Sequence, residues 1–306
     1  MNYREKERQR ATALRDELFQ DPGMGDFKKT PREFVLSDPG LNLWGGIRDD
    51  ALAYFTSNSI TWWDSGNEPT GHLLSSQIAC INHLYPLRQR EDLATVVLRT
   101  IRPDILRALP LDTGFVEFEV IGKERLGGER AAVRGANCTS VDAMMLGEMD
   151  NGQRILFPIE WKYTESYSPD SKIEGKGKSG ETRWDSYEGL LKATDSPIQH
   201  EPLKDLFYEP FYQLMRQVLL ANEMIKRREY GATDWVHVHV IPNENTDLIN
   251  KITSPGLNGD TIGEAWKTVL RQPEKYVSMD PKDLVAAMAV REDTQAITQY
   301  LMKRYG

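Results

Sequence analysis

A nearly unbroken apolar segment near the middle of the chain constrains the fold more than any other feature. Residues 155–163 read Ile-Leu-Phe-Pro-Ile-Glu-Trp-Lys-Tyr, which is the pattern of a strand buried on both faces. The segment nevertheless contains Glu160 and Lys162, and burying a charge costs free energy unless the charge is paired. The sequence therefore predicts an inner strand of a sheet whose two charges have a function.

A turn signal joins this strand to the one before it. Residues 150–152 are Asp-Asn-Gly, and a three-residue hairpin loop with the glycine in the left-handed conformation would pair Met149 with Gln153. In that register Asp142 lies opposite Glu160. A two-residue loop would instead place the aspartate on the other face of the sheet from the glutamate. The length of the loop therefore decides where this acid projects.

The longer loop would gather three charged side chains on one face. Directly opposite residues of an antiparallel pair share a face, and so do residues two apart on a strand, so Asp142, Glu160 and Lys162 would project together. Neighbouring carboxylates repel each other unless a cation lies between them, which predicts a hard divalent ion such as Mg²⁺ or Mn²⁺. The lysine could orient an attacking water or stabilise negative charge on a phosphate. The alternative is three solvated charges on an exposed strand face, which the apolar surroundings of Glu160 disfavour.

The whole chain has the composition of an ordinary globular protein. It has 306 residues, of which 40% are hydrophobic, and a net charge of −8, which argues against coating nucleic acid through bulk positive charge but not against a nuclease. A charged start and the lack of any run of about 18 apolar residues predict a cytoplasmic protein with no membrane contact. Cys80 and Cys138 lie in apolar stretches and fit reduced thiols.

The first 70 residues predict a peripheral helix followed by irregular structure. Residues 1–30 begin with an amphipathic helical stretch, and residues 31–70 are interrupted by glycine and proline turn signals. The second stretch is rich in large aromatic rings. Exposed rings could stack on bases, but large aromatics are mostly buried, and we expect these to fill a core. The rings are those of Trp44, Tyr54, Phe55, Trp62 and Trp63.

Periodicity along the rest of the chain predicts helix, three strands, helix and strand. Ser75 or Ser76 can cap a first helix, Pro86 should kink it, and a second helical stretch follows. The predicted strands are residues 115–120, 131–147, 154–163 and 234–241, and the helix between the last two is residues 210–228. Residues 168–186 are expected to form a loop, and the last 64 residues to be mostly helical, with helices at 262–270 and 281–305.

This order, with an aspartate in the second strand and Glu-x-Lys in the third, resembles the PD-(D/E)XK or restriction-endonuclease-like nuclease superfamily. The resemblance covers residues 71–242 and implies an α/β fold with an αβββαβ core and a mixed central sheet flanked by helices. Residues 1–70 and 243–306 would be N- and C-terminal extensions on that core. The resemblance further implies metal ligation by Asp142, Glu160 and the Trp161 carbonyl, and a catalytic role for Lys162. Val141 departs from the motif, which has proline before the aspartate.

Members of this superfamily often add a polar group from the first helix or an acid from the first strand. Gln77 is the helix candidate, and Glu117 or Glu119 the strand candidate, although a glutamine near a helix start is more often a surface residue or cap. On the helix after the motif, Gln213, Arg216 and Gln217 form a polar stripe. Arg216 could contact a phosphate, and a solvated helix face is the alternative.

Two further patterns allow either a functional or a structural interpretation. His237-x-His239 on a strand could be a zinc pair, but packing is favoured because no third ligand lies at a known spacing. The segment between Lys172 and Arg183, which also holds Lys176 and Lys178, is locally positive. It could clamp a DNA backbone or be an ordinary solvated loop.

The sequence thus predicts a metal-dependent nuclease that hydrolyses phosphodiester bonds, with DNA as the expected partner and a homodimer left open. One alternative is an inactive module of the same fold that binds nucleic acid or a protein, which retention of the costly acid pair disfavours. Another is a metal-free hydrolase with a carboxylate pair, as in glycosidases, which leaves Lys162 unexplained.

Overall fold

A mixed sheet forms the centre of the molecule, whose structure is a computed structural model. The structure describes residues 1–63, 66–127, 129, 138–174 and 178–306, with residues 178 and 179 as backbone. Most of the first half of the predicted strand at 131–147 therefore lies outside the described residues. The observed strand covers Val141–Met149.

The first part of the chain is more regular than the sequence suggests. Its elements are α1 (Tyr3–Ala13), α2 (Arg15–Leu18), β1 (Met24–Phe27), β2 (Thr30–Leu36) and α3 (Arg48–Ser57). The two strands pair as an antiparallel hairpin. The expectation of irregular structure over residues 31–70 is therefore wrong for β2 and α3. It fails because α3 is held by burying Tyr54 and Phe55 in the core rather than by a long amphipathic pattern.

Helices and strands then follow largely as expected. They are α4 (Ser76–Leu84), α5 (Glu91–Ile101), β3 (Ile105–Leu109), β4 (Glu117–Val120), β5 (Val141–Met149) and β6 (Arg154–Trp161). The Ser75 hydroxyl caps α4 by accepting the Ile78 amide at 3.3 Å, and Pro86 lies in a 3₁₀ turn between the two helices. Strand β3 was not predicted.

The second half of the chain alternates helices with short strands. Its elements are α6 (Lys178–Lys192), α7 (Phe211–Lys226), β7 (Asp234–Trp235), β8 (His237–Val240), α8 (Thr246–Ile249), α9 (Ile262–Val269), β9 (Tyr276–Met279), α10 (Pro281–Met288) and α11 (Gln295–Tyr305). The expected loop at 168–186 is wrong from Lys178 onward, where α6 begins, because burial of Tyr187 and Leu191 one turn apart stabilises a helix. Strand β9 was not predicted either.

The sheet combines antiparallel and parallel pairs, as the resemblance to the nuclease superfamily implied. Within the described part of the chain its strand order is β3-β5-β6-β8-β9, with β4 also pairing with β5 and β7 with β6. Strands β3, β4 and β6 run antiparallel to β5. Strands β7 and β8 run parallel to β6, and β9 runs parallel to β8. Strand β6 is thus an inner strand, which explains why its residues after Arg154 are buried.

The hairpin between β5 and β6 has the three-residue loop that the turn signal predicted. The Met149 amide donates to the Gln153 carbonyl at 2.9 Å, and Gly152 has a positive φ of 79°. Paired residues run from Glu148 with Arg154 to Ala143 with Ile159. The next position in this register places Asp142 opposite Glu160.

Two hydrophobic clusters cover the two faces of the sheet. One packs the β5 residues Ala143 and Met145 against α3, α4, α5, α10 and α11. The other packs Met144 and Leu146 against α6, α7 and α9. Asp142 has the parity of Met144 and therefore belongs to the α7 face.

A buried polar group lies on the opposite, α11 face, and we call it the Arg304 cluster: Asn42, Asn82, Tyr300, Arg304 and Tyr305. The Arg304 guanidinium donates to the Asn42 carbonyl at 2.6 Å and to the Tyr300 hydroxyl at 2.5 Å. The Asn82 amide donates to the Asn42 carbonyl and the Tyr305 hydroxyl, both at 3.1 Å. These bonds join the C-terminal helix to the segment before α3.

Candidate active site

Three charged side chains meet where β5 and β6 run side by side. Asp142 is half-buried, whereas Glu160 and Lys162 are only 2% and 5% exposed. One Asp142 carboxylate oxygen accepts the Trp161 main-chain amide at 2.7 Å. The structure therefore brings together the three residues that the sequence singled out, in the register that the hairpin predicted.

The Glu160 carboxylate is held from two sides. One oxygen forms an ion pair with the Lys162 ammonium, and the other accepts a hydrogen bond from the Gln217 amide. The Gln217 amide also donates to the Ser140 carbonyl at 3.2 Å. Because its nitrogen is the donor in both bonds, its oxygen accepts from the His237 Nε2–H at 2.9 Å. A chain of contacts thus runs from β8 through α7 to the acid on β6.

Glu119 adds a third acid on β4. Its neighbours Phe118 and Val120 pair with Ala143 and Val141, so Glu119 comes level with Asp142. Its two carboxylate oxygens accept hydrogen bonds from the Gln77 amide at 3.0 Å and the Ser140 hydroxyl at 2.9 Å.

The backbone of Glu119 is strained. Its φ is 50°, in the left-handed region that non-glycine residues rarely adopt, and such strain is often found at functional sites. Glu119 and Gln77, both predicted accessories, are therefore hydrogen-bonded to each other beside the Asp142 strand.

Glu117, the other strand candidate, lies outside this group. Its carboxylate accepts the Tyr54 hydroxyl at 2.5 Å, and the Thr113 amide and hydroxyl at 2.8 and 2.6 Å. These contacts attach α3 and the turn before β4 to the sheet. The structure therefore separates the two glutamates: Glu117 has structural contacts and Glu119 borders the site.

The Lys162 ammonium is also bound by the helix face that follows. It donates to the Gln213 side-chain oxygen at 2.9 Å and lies 5.9 Å from the centre of the Tyr167 ring. Burial alone would lower the pKa of Lys162, but the Glu160 carboxylate outweighs it, and the pKa stands well above its usual value. Lys162 is therefore a protonated ammonium at neutral pH.

The polar stripe of α7 lines a cavity rather than a solvated face. Gln213, Arg216 and Gln217 border a cavity of about 150 Å³ together with Asp142 and Glu160. The remaining lining residues are Cys138, Thr139 and Ser140. Arg216 donates to the Thr139 hydroxyl at 3.0 Å and lies 3.8 Å from the Glu129 carboxylate. The alternative of a solvated face is therefore wrong for this stripe.

The charge balance of the site favours a cation. Burial and the Glu160 carboxylate raise the pKa of Asp142 well above its usual value, while the Lys162 ammonium opposes the rise. Glu119, Asp142 and Glu160 here face the Lys162 ammonium and the Arg216 guanidinium, so acids still outnumber cations, and every candidate ligand is an oxygen, which suits a hard divalent ion. Among the described residues, no cluster of three or more His, Cys, Asp and Glu side chains is arranged as a metal site. A cation would therefore need main-chain, water or substrate oxygens as well as the carboxylates.

The two histidines of β8 are packed and hydrogen-bonded. His237 bonds Gln217, and the His239 Nδ1 lies 2.9 Å from the Tyr276 hydroxyl. Burial lowers the pKa of His237 to about 4 and that of His239 well below its usual value, so both rings are neutral at pH 7. The hydrogen bonds to Gln217 and Tyr276 agree with the packing interpretation, and no third ligand joins the pair among the described residues.

The positive segment after the motif is partly engaged within the chain. The Lys172 ammonium lies 3.5 Å from a Glu209 carboxylate oxygen, and the Arg183 guanidinium donates to the Lys172 carbonyl at 2.9 Å. Lys176 lies outside the described residues, and Lys178 begins α6. The DNA clamp stays a prediction for this segment.

Sequence patterns alone did not single out several residues of the site. Ser140, Thr139 and Tyr167 enter it through contacts with α7 and with the strand ends, which have no local signature. Gln213 was visible as part of the polar stripe, but its bond to Lys162 depends on how α7 packs on β6.

Comparison with known families decides the class of the protein. A family model described as "Restriction Endonuclease associating with ARP" matches residues 6–306. The chain belongs to this restriction endonuclease family. The membership confirms the predicted restriction-endonuclease-like resemblance and α/β fold, and it indicates a nuclease that acts on nucleic acid. It also favours a nuclease over a carboxylate-pair glycosidase.

The other comparisons add no relative. No curated protein and no solved structure matches the chain. In the described ranges, no helix is both long and apolar enough to cross a bilayer.

Proposed function

We propose that this restriction endonuclease hydrolyses phosphodiester bonds in DNA with the help of Mg²⁺ or Mn²⁺. Asp142, Glu160 and the Trp161 carbonyl would hold the cation, and Lys162 would act at the reacting phosphate. The observation that carries the proposal is the register of β5 and β6, which sets Asp142 opposite a buried Glu160 that is paired to Lys162. The family description names an association with ARP, and we extend that association to this chain.

The bound cation would polarise the phosphoryl oxygen and lower the pKa of a water molecule. The protein's own part is positioning. Gln217 fixes one oxygen of Glu160, and the Trp161 amide fixes one oxygen of Asp142, so both carboxylates are oriented before substrate binds. The Lys162 ammonium, held against Glu160 and the Gln213 side-chain oxygen, would orient the attacking water or stabilise negative charge developing on the phosphate.

Cleavage assays with matched variants test the proposal. Purified protein is incubated with plasmid DNA and Mg²⁺, Mn²⁺ or EDTA. Lys162→Ala and Asp142→Ala should abolish metal-dependent cleavage without unfolding the chain. Lys192→Ala and Glu188→Ala, which remove an ion pair on the exposed side of α6, serve as controls and should cleave as the wild type does. Wild-type cleavage by Lys162→Ala and Asp142→Ala would overturn the assignment.

Calorimetric titration with Mn²⁺ separates an active nuclease from an inactive module. The wild type should bind the ion and Asp142→Ala should not. A wild-type chain that binds no Mn²⁺ would favour a module that only binds nucleic acid or a partner.

A further inference from the structure

A second cavity lies where the N-terminal hairpin meets the start of α4 and the segment after β6. It measures about 260 Å³, and we call it the aromatic pocket after the rings of Phe27, Trp63 and His72 that line it. Arg4, Ser76 and Thr164 are among its polar lining residues. Ser76 directly precedes Gln77, and Thr164 lies two positions after Lys162. The pocket is therefore built from chain segments that lead into the active site.

Two hydrogen bonds connect the pocket to the acids. The Trp63 main-chain amide donates to the Gln77 side-chain oxygen at 2.9 Å. The Gln77 amide nitrogen in turn donates to Glu119 at 3.0 Å. The main chain of Trp63 is thus tied through Gln77 to the Glu119 carboxylate, which sets where the Trp63 ring starts relative to the acids.

Trp63 differs from the other aromatic residues of its segment. Tyr54, Phe55 and Trp62 are buried, as the sequence predicted for most of these rings, whereas Trp63 is 55% exposed. Exposed tryptophan in a concave site offers a large flat surface for stacking. The prediction that the rings fill a core therefore holds for the three buried residues and fails for Trp63.

His72 supplies a neutral ring beside this surface. Its ring centre lies 5.2 Å from that of Phe27 and 6.4 Å from that of Trp63, with edge-on geometry in both pairs. The Nδ1 atom accepts the Leu74 amide at 3.1 Å, so the ring hydrogen of the neutral form is on Nε2. Burial and the nearby Arg4 and Arg8 lower the pKa of His72 to about 4. At neutral pH the His72 ring is therefore uncharged like those of Phe27 and Trp63, and the three rings suit a planar uncharged group, while Arg4 and Glu165 line the same cavity beside them.

The hairpin that carries Phe27 presents two lysines beside the pocket. Lys28 and Lys29 form the two-residue turn between β1 and β2, and both have positive φ values, 52° and 63°. Turns of this kind strongly prefer Asn-Gly, so lysine at both positions is unfavourable for stability. The Lys28 ammonium lies 5.5 Å from the centre of the Phe27 ring. A chain with a net charge of −8 thus places two exposed cations with strained backbone directly after Phe27, one of the rings that line the pocket.

We propose that the aromatic pocket binds one unstacked nucleobase of the nucleic-acid substrate against Trp63, while Lys28 and Lys29 contact the neighbouring phosphates. The inference rests on the proposed function in that the substrate is a nucleic acid. A base between phosphates combines an uncharged flat ring with flanking negative charge, which is the combination that the pocket and the hairpin match. The volume is just below the roughly 300–1,000 Å³ of pockets for drug-sized ligands, which fits a single base.

A binding cycle in EDTA tests the stacking. Fluorescence anisotropy measures the affinity for a labelled 20-nucleotide oligo(dT) and for an oligonucleotide of equal length that is abasic throughout. Trp63→Ala should weaken binding of oligo(dT) about 5- to 150-fold, the range expected for loss of one base–aromatic stack. It should leave binding of the abasic strand unchanged. Trp63→Phe should retain part of the affinity, and Leu106→Ala, which trims another exposed apolar side chain, should match the wild type.

Three results would overturn the inference. Trp63→Ala could bind oligo(dT) as the wild type does, it could lose affinity equally for both strands, or the wild type could bind neither strand. The cycle needs no metal and no cleavage, so its outcome is separate from the test of the proposed function. Stacking without cleavage would reject the metal-dependent nuclease alone, and cleavage without stacking would reject the pocket alone.

The hairpin cations are tested by restoring the preferred turn residues. Lys28→Asn combined with Lys29→Gly should raise the melting temperature by about 2–4 °C, because it relieves the strained backbone. It should also weaken oligo(dT) binding and reduce the slope of log K against log salt by about 1.4, as for two lost phosphate contacts on a single strand. A stabilised hairpin with an unchanged salt slope would rule out the phosphate contacts.

Discussion

The acidic site and the Arg304 cluster are both buried polar groups. They lie on opposite faces of the sheet and differ in how fully their polar atoms are paired. In the Arg304 cluster, no buried nitrogen or oxygen of the Asn42, Asn82 and Arg304 side chains lacks a partner within the described structure. Its one charge is spread over carbonyl and hydroxyl acceptors, and the guanidinium also lies 4.8 Å from the centre of the Tyr305 ring.

The acidic site is less complete. Its three acids outnumber Lys162 and Arg216, the pKa of Asp142 is raised, and the His237 Nδ1 behind Gln217 is buried with no hydrogen-bond partner among the described residues. Unsatisfied polar groups and excess charge reduce the stability of the folded protein. The two clusters therefore differ in composition: the side chains of Asn42, Asn82 and Arg304 find partners among the described residues, whereas the acidic site keeps several carboxylates on one face of the sheet.

The largest expected effect comes from Asp142→Asn. Metal-dependent cleavage should fall about 10³-fold or more, since a bound metal supplies several kcal/mol of transition-state stabilisation. The folded-state pKa of Asp142 is raised, so its charged form destabilises the protein at pH 7. The variant should therefore melt at a higher temperature than the wild type in EDTA at pH 7, and the gain should shrink toward pH 4. A lower melting temperature at pH 7 would contradict the contrast between the clusters.

Arg304→Ala should show the opposite behaviour. Loss of the charged hydrogen bonds to Asn42 and of the ring contact should lower the free energy of unfolding by about 3 kcal/mol. Cleavage per folded molecule should stay within about twofold of the wild type. Urea unfolding and cleavage assays at a temperature where the variant is folded measure the two quantities, and a selective loss of cleavage would place the cluster in the active machinery.

His237→Phe tests whether His237 is a positioning residue. The ring keeps its volume but no longer donates to Gln217, so Gln217 should hold Glu160 less firmly and Mn²⁺ affinity should fall about 10- to 100-fold. His239→Phe is the comparison variant, because His239 also lies beside Glu160 in the sheet but contacts Tyr276 rather than Gln217. Equal loss of metal affinity in both variants would indicate a general effect on β8.

The smallest expected effect is the contribution of His83, which contacts Tyr305 of the Arg304 cluster, to the pH dependence of stability. His83 packs between Trp161 and Tyr305, and burial lowers its pKa to about 4. As the pH falls through about 6.5, the His83 ring is protonated in the unfolded chain but stays neutral in the folded chain. Stability due to His83 is therefore present above pH 6.5 and is lost as the pH falls toward 4, by about 2 kcal/mol between pH 7 and 5. Urea unfolding of His83→Asn should show a smaller loss than the wild type over this interval, and parallel losses would exclude His83 as the source.

The part of the fold that the sequence predicted well depends on local chemistry. The register of β5 and β6 follows from one glycine at a left-handed turn position, and the cap and kink of α4 follow from Ser75 and Pro86. These signals act over a few residues, so no knowledge of the rest of the chain is needed to use them.

The parts that could not be predicted depend on distant partners. Strand β9 has only four residues and exists because β8 offers a parallel edge, which the sequence does not reveal. Helix α6 is polar and glycine-containing, and its signal was the modest recurrence of Tyr187 and Leu191. In the site, the alternating pattern around His237 correctly predicted a strand. The contact between His237 and the acid site could not be predicted, because it depends on α7 placing Gln217 between His237 and Glu160.

The Asp150-Asn151-Gly152 turn has a consequence for how this gene can vary. Its first two side chains are exposed, so most codon changes there should be silent for folding. Loss of one codon is different, because shortening the loop shifts β5 by one residue against β6 and exchanges the faces of its side chains. Asp142 would then point into the apolar cluster and Ala143 toward the cavity. The number of residues in this exposed turn, rather than their identity, keeps Asp142 opposite Glu160.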